Sequence, residues 1–266
     1  MTYTALVLAS RRKGEVNPVA EMYGVSHKCI APVDGVPMVE RVVKALEGAR
    51  HVDEIVISID EPDVLKGIAV IDEGVAAGRI RCAPAGENLF LSVKAGLADA
   101  KWPAIITTAD NVLHTSEIVD YFCEGFDKEG SDVAVAMTDI ETVWAKYPQG
   151  QRRPHVFRDG AYSNCNLYGL RSPDALIAAK SFQSGGQFRK KRLRVLKEFG
   201  VLNFLRYWYG RFSFEDLFRR VSERFKVTVR PVILPFAEAP IDVDNERTEK
   251  VAREILVQRR EAGETA

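Results

Sequence analysis

Asp110 closes the apolar run Ala104-Ile105-Ile106-Thr107-Thr108-Ala109. A carboxylate at the carboxyl end of a buried strand lies where open α/β sheets bind ligands. There it can hold a divalent cation, and Mg²⁺ typically takes one or two protein carboxylates together with substrate phosphates. A second pair stands far along the chain, in Pro240-Ile241-Asp242-Val243-Asp244-Asn245. Alternate positions on an extended segment point to one side, so Asp242 and Asp244 can act together. Either would complete a metal site with Asp110. Asp244 or Asn245 could equally cap the helix expected to start near Glu246. Positive charge comes from the other end of the chain, where Ser10-Arg11-Arg12-Lys13-Gly14 follows Ala5-Leu6-Val7-Leu8-Ala9 and Lys28 stands beyond it. Backbone N–H groups of such a turn can cradle an anion, and Arg11, Arg12 and Lys28 add charge.

Apolar segments of strand length must position these groups. Residues 5–9 are apolar on both faces, as in a central strand of a parallel sheet, and 55–59, 104–108 and 132–137 read as three further strands. Residues 78–84 read as an edge strand, 227–233 as a late strand, and 152–157 with 161–170 as two strands around the turn Arg158-Asp159-Gly160. Helical patterns cover 37–46, 88–97, 117–126, 173–179, 187–209, 214–225 and 246–258, and a further helix could start at 62–68. Alternating strands and helices imply a parallel-dominated sheet with helices on both faces. No clean linker appears, so residues 1–266 are expected to form one domain, with an insertion-like helical region at about 172–225.

The overall balance excludes several classes. Thirty-seven basic residues face thirty-seven acidic ones, so no global field argues for nucleic acid. Cys29, Cys82, Cys123 and Cys165 are far apart and form no Cys-x-x-Cys pair, which indicates neither a zinc site nor a disulfide framework and suits the cytoplasm. No stretch approaches the length of apolar sequence that spanning a bilayer requires. His27, His114 and His155 show no triad or metal spacing and are read as non-catalytic.

The N-terminal stretch resembles the MobA-like NTP transferases, the nucleotidyltransferases related to molybdenum-cofactor guanylyltransferase. Their signature is an apolar strand, Leu-Ala-Ala-Gly-x-Gly-x-Arg-Met, then a Lys before Pro-(Leu/Val)-x-Gly-x-Pro-Met. Here the match runs through Leu8-Ala9-Ser10-Arg11, Lys28 and Pro32-Val33-Asp34-Gly35-Val36-Pro37-Met38. Ser10 stands where a Gly is usual, and no Gly precedes Gly14. The resemblance implies a three-layer α/β/α Rossmann-like nucleotidyltransferase (GT-A-like) fold. It implies transfer of a nucleotidyl group from a triphosphate, CTP or GTP favoured, to a phosphorylated acceptor, with pyrophosphate released and Mg²⁺ as cofactor. By the same resemblance Leu8, Ala9, Ser10, Arg11, Arg12 and Lys28 would meet the phosphates. Gly86, Asn88 and Ser92 would meet base and ribose. Asn164 and Asn166, on one face of a strand, would line the acceptor half of the cleft. Asp110, Asp242 and Asp244 would hold the metal. A GT-A-type glycosyltransferase with a nucleotide-sugar donor remains an alternative, since Asp242-Val243-Asp244 has the Asp-x-Asp spacing. A non-catalytic nucleotide-binding or membrane-associated protein is another.

Residues 187–212 carry eight basic side chains against Glu198 as the only acid, with Trp208 and other apolar residues interleaved. Such a helix could contact an anionic membrane surface or a lipid head-group acceptor, or form a core or homodimer helix with a solvated basic side.

Overall fold

The computed structural model describes residues 1–11, 17–179 and 213–263. β1 (Tyr3–Leu8) lies inside an eight-stranded sheet and is buried along almost all its length, which is why it is apolar on both faces. A small antiparallel hairpin, β2 (Pro32–Val33) and β3 (Val36–Pro37), stands apart from that sheet. Its Asp34 and Gly35 both have positive φ, 51° and 77°, as a two-residue Asp-Gly turn requires. β1 pairs in parallel with β4 (Val52–Ile59) on one side and β6 (Ala104–Thr108) on the other. β5 (Ile80–Pro84) extends the sheet beyond β4. On the other flank β9 (Gly160–Leu170) runs antiparallel between β6 and β7 (Val133–Asp139). Short β8 (His155–Phe157) pairs with the start of β9, and β10 (Val229–Ile233) lies parallel to β7. The order is therefore β10-β7-β9-β6-β1-β4-β5.

Alternation along the strands builds two cores. Ala5, Val7, Ile55, Ile57 and Ile105 pack against α2 (Met38–Glu47), α3 (Ala69–Ala76) and α5 (Ser116–Glu129). Leu6, Val56 and Ile106 face the opposite way, toward α4 (Leu89–Gly96), Leu176 of α7 (Leu176–Ala179) and α8 (Phe214–Phe225). The result is the expected three-layer α/β/α arrangement around a mostly parallel mixed sheet. A third cluster joins Val19 of α1 (Pro18–Tyr23) to Met38, Val112, Leu113, Ile241, Val243 and the apolar face of α9 (Glu246–Glu261). This cluster fastens the late Pro240–Asn245 segment beside the residues that follow β6.

Four short elements were not expected from the sequence: α1, the 3₁₀ turn Lys28–Ile30, the β2–β3 hairpin and α6 (Ile140–Lys146). The helix anticipated at 62–68 is a 3₁₀ turn over Pro62–Leu65, followed by α3. The reversed direction of β9 is the main topological difference from a simple parallel reading. Arg12 and the helix expected over 187–209 lie outside the described residues. The insertion-like region is described at its two ends, where Phe214 stacks on Tyr162 with ring centroids 4.0 Å apart. Among the described residues, no helix is long and apolar enough to cross a membrane.

Candidate active site

Asp110 follows β6 at the carboxyl edge of the sheet, and its backbone carbonyl accepts from Val243 N at 3.1 Å. That bond brings Asp242 and Asp244 beside it, although more than a hundred residues separate them. Carboxylate oxygens of Asp110, Asp242 and Asp244 all lie within 4.8 Å of one another. Lys28 enters from the opposite direction, through the 3₁₀ turn Lys28–Ile30. Its Nζ donates to Asp110 Oδ2 at 2.5 Å and to Asp244 Oδ1 at 2.6 Å. Burial works against the Lys28 ammonium, but Asp110 and Asp244 outweigh it and hold its pKa above the ordinary lysine value. Burial pushes the Asp242 carboxyl up to about 7, and the like charges of Asp110 and Asp244 add to the rise, while Lys28 and the Asn166 amide oppose it.

Neighbouring polar groups orient these carboxylates. The Thr108 hydroxyl donates to Asp110 Oδ1, and it lies 2.9 Å from Asn111 Oδ1. Asn111 Nδ2 donates to the Cys165 carbonyl at 2.8 Å, tying the post-β6 turn to β9. Asn166 Nδ2 donates to Asp242 Oδ2 at 3.0 Å. Asn166 has φ of 51° and lies within the stretch where the β7–β9 register shifts, so the irregularity aims its amide at the acidic group. Asn164 serves that irregularity instead: its Oδ1 accepts from Asn166 N at 2.6 Å and its Nδ2 donates to the Tyr168 hydroxyl at 2.8 Å. The two asparagines, expected to act alike, thus point to different partners.

Three oxygen donors so close together, one of them destabilised by the others' charge, suit a small hard divalent cation such as Mg²⁺. The crowding needs positive charge, and Lys28 supplies it to two of the three carboxylates.

Leu8, Ala9 and Ser10 continue β1 toward this edge, where Ala9 N donates to Ser58 O at 3.0 Å and Leu8 O accepts from Ala109 N at 3.1 Å. Arg11 turns away from the carboxylate triad. Its Nε donates to Asp60 Oδ2 at 2.9 Å and its Nη2 to Glu61 Oε1. Asp60 also accepts from Arg11 N at 3.3 Å and lies 3.2 Å from Nε2 of the buried His27, whose Nδ1 faces Ser26 Oγ at 2.9 Å. Burial would raise the Asp60 carboxyl, but backbone N–H groups, His27 and Arg11 hold it below the usual aspartate value. Asp60 thereby joins the loop after β1 to the turn that carries Lys28. Sequence reasoning missed it, yet it carries the signal that marked Asp110, an aspartate closing an apolar strand.

Gly86, Asn88 and Ser92 lie together after β5. Asn88 caps α4 by accepting from Leu91 N at 3.0 Å, and Gly86 N donates to Ser92 Oγ at 3.0 Å. A Cβ on Gly86 would come within 2.4 Å of Leu91 Cβ, so the close turn requires glycine. These contacts fix the turn between β5 and α4.

Comparison with known proteins agrees with this fold. The model of the MobA-like NTP transferase domain matches residues 6–179. A hypothetical transferase from Thermus thermophilus has the same fold, with a TM-score of 0.76 and 24% identity over 94% of this chain and 100% of that one. CMP:2-keto-3-deoxy-manno-octonic acid synthetase, solved with CTP, aligns with a TM-score of 0.60 at 13% identity, covering 97% of this chain and 99% of that chain. The 4-diphosphocytidyl-2C-methyl-D-erythritol synthase of Anaerococcus prevotii aligns with a TM-score of 0.55 at 13% identity, covering 96% and 98%. A search of curated proteins finds no match by sequence.

Proposed function

The chain belongs to the MobA-like NTP transferase domain family, and from that premise we propose that it moves a nucleoside monophosphate from CTP or GTP to a phosphorylated acceptor. The acceptor is a small molecule or a lipid head group. The observation that carries this reading is the meeting of Asp110, Asp242, Asp244 and Lys28 at the carboxyl edge of the sheet.

An oxygen of the acceptor phosphate attacks the α-phosphorus of the triphosphate in line. The new bond joins that oxygen to the α-phosphorus. The bond from the α-phosphorus to its bridging oxygen breaks, and pyrophosphate leaves with the electron pair. No protein nucleophile is needed, so positioning and electrostatics supply the catalysis. Leu8, Ala9 and Ser10, at the end of β1, would meet the phosphates. Lys28 places a fixed positive charge beside the site of transfer. Asp110, Asp242 and Asp244 would hold Mg²⁺, which when bound neutralises charge on the phosphate oxygens. Thr108 and Asn166 orient two of those carboxylates. Asp60 positions Arg11 and the Lys28 turn, and Gly86, Asn88 and Ser92 border the nucleoside. The two related-fold synthetases named above make cytidine products by their own titles, which favours CTP over GTP here.

The test is pyrophosphate release, screened with all four ribonucleoside triphosphates against pooled phosphomonoesters, with and without Mg²⁺. Release that requires both CTP or GTP and an acceptor is expected. No release with any pair, together with no nucleotide binding by calorimetry, would overturn the reading.

A further inference from the structure

Two arginines outside the expected site share one anchor. Arg152 Nη2 donates to Gln149 Oε1 at 2.9 Å, and Arg247 Nη1 donates to the carbonyl of the same residue. The turn that carries Gln149 is fastened from both sides. Trp144 Nε1 of α6 donates to Gln151 O at 2.8 Å, and Gln151 Nε2 donates to Pro240 O. Gly150 packs so closely on Ile241 that a Cβ there would lie 2.7 Å from Ile241 Cδ1. Arg247 stands in the first turn of α9, three residues after Asp244. Among the described residues neither arginine has an ion-pairing carboxylate; each guanidinium is held by an oxygen of Gln149. Burial and the like charge of Arg152 hold the Arg247 pKa below the ordinary arginine value, with Asp242 opposing, so Arg247 lies within electrostatic reach of both Arg152 and Asp242.

Position decides which ligand this pair would serve. The loop after β1, Asp60 after β4 and Gly86 after β5 all lie on one side of Asp110 in the sheet order. Asn166 on β9 and the turn after β7 and α6 lie on the other side. We propose that Arg152 and Arg247, held together by Gln149, form an anion subsite that takes the phosphate of the acceptor on the side of the triad away from the nucleotide. This assignment rests on the nucleotidyltransferase reading. Two guanidiniums with free N–H groups recognise a phosphomonoester by charge-assisted, forked hydrogen bonds, which a lysine pair would not match. A neutral sugar or alcohol would leave both charges unpaired.

Inorganic phosphate serves as the probe, measured by calorimetry on the full chain without nucleotide. Wild type is expected to bind it, and the double variant Arg152→Gln/Arg247→Gln to bind it about tenfold more weakly or worse. Arg230→Gln, on the edge strand β10, should leave phosphate binding unchanged. Magnesium–CTP and magnesium–GTP affinities should be the same in wild type and the double variant. Arg152 is exposed, so Arg152→Gln alone gives an intermediate loss and keeps the test valid should the double variant unfold. Equal phosphate binding in wild type and variants, or none in wild type, would overturn the subsite. Parallel loss of nucleotide binding would assign the pair to the triphosphate and overturn the acceptor role. Failure of wild type to bind any nucleotide would sink the transferase reading instead, while the phosphate comparison still decides whether the pair binds anions.

Discussion

Lys28 Nζ bridges Asp110 Oδ2 at 2.5 Å and Asp244 Oδ1 at 2.6 Å, joining the first thirty residues of the chain to its last thirty. The lysine is recessed, with 17% of its side chain exposed, whereas Asp244 is 59% exposed. The ammonium therefore neutralises a group of carboxylates that would otherwise repel one another. Lys28→Ala is expected to cut turnover by on the order of 10²-fold, the scale for losing one preorganised electrostatic group. It should also lower the metal-free melting temperature, because three neighbouring carboxylates lose their counter-charge. Added Mg²⁺ should then restore more stability to the variant than to wild type. Steady-state kinetics and thermal unfolding with and without Mg²⁺ check both, and unaltered kinetics would remove Lys28 from the site.

Asp242→Asn separates metal binding from folding. The side chain keeps its size, and its amide oxygen can still accept from Asn166 Nδ2. One of three crowded negative charges disappears, so the metal-free variant should unfold at the same temperature as wild type or higher. Turnover should fall on the order of 10²-fold, and nucleotide binding should lose its dependence on Mg²⁺. Calorimetry with and without chelator reads this. A variant that still binds nucleotide more tightly with Mg²⁺, to the same degree as wild type, would exclude Asp242 as a ligand.

Much of this site was legible because strand ends and short alternations carry local signals. Asp110 stands out by closing an apolar strand, and Asp242 with Asp244 by their spacing. Their meeting is not local, since it depends on Val243 N reaching the Asp110 carbonyl. Arg11 shows the opposite case. Its charge suggested phosphate binding, but its direction is set by Asp60 and Glu61, about fifty residues away, and no pattern near Arg11 announces them. The sheet was legible strand by strand, while the reversed insertion of β9 was not. An apolar run reads the same in either direction, and pairing with β6 and β7 alone decides its sense.

The pH dependence of stability should show in Asp127. Tyr3 Oη donates to its Oδ1 at 2.6 Å and Arg171 Nη1 to the same oxygen at 2.8 Å. Burial opposes the charged form, but the Arg171 and Tyr3 hydrogen bonds win and hold the carboxyl below its ordinary value. A carboxyl depressed in the folded state contributes stability above its unfolded pKa and loses it as pH falls through the folded one. Asp127→Asn should therefore cost about 2 kcal/mol at neutral pH. The gap between variant and wild type should close progressively below about pH 4. Chemical denaturation across that range measures it, and a gap independent of pH would contradict the assignment.

Gly169 shows how tightly β9 is set between its neighbours. A Cβ at this position would lie 2.5 Å from Cδ1 and Cε1 of Phe126 on α5. That ring cannot easily give way. The Arg171 guanidinium lies 4.0 Å from its centroid, and Phe122 and Tyr3 pack against it with centroids 6.3 and 6.0 Å away. Gly169→Ala therefore forces strand and helix apart and should cost about 1–3 kcal/mol, the usual range for overpacking a core. Phe126→Leu in the same chain removes the clashing ring edge, so the double variant should lose less than the sum of the two single losses. Because β9 also delivers Asn166 to Asp242, Gly169→Ala should reduce turnover as well as stability, and the second substitution should recover part of both. Denaturant melts of the four proteins in the cycle, with turnover measured on each, test the coupling. Strict additivity of the two losses would show that the ring and the strand do not meet as described.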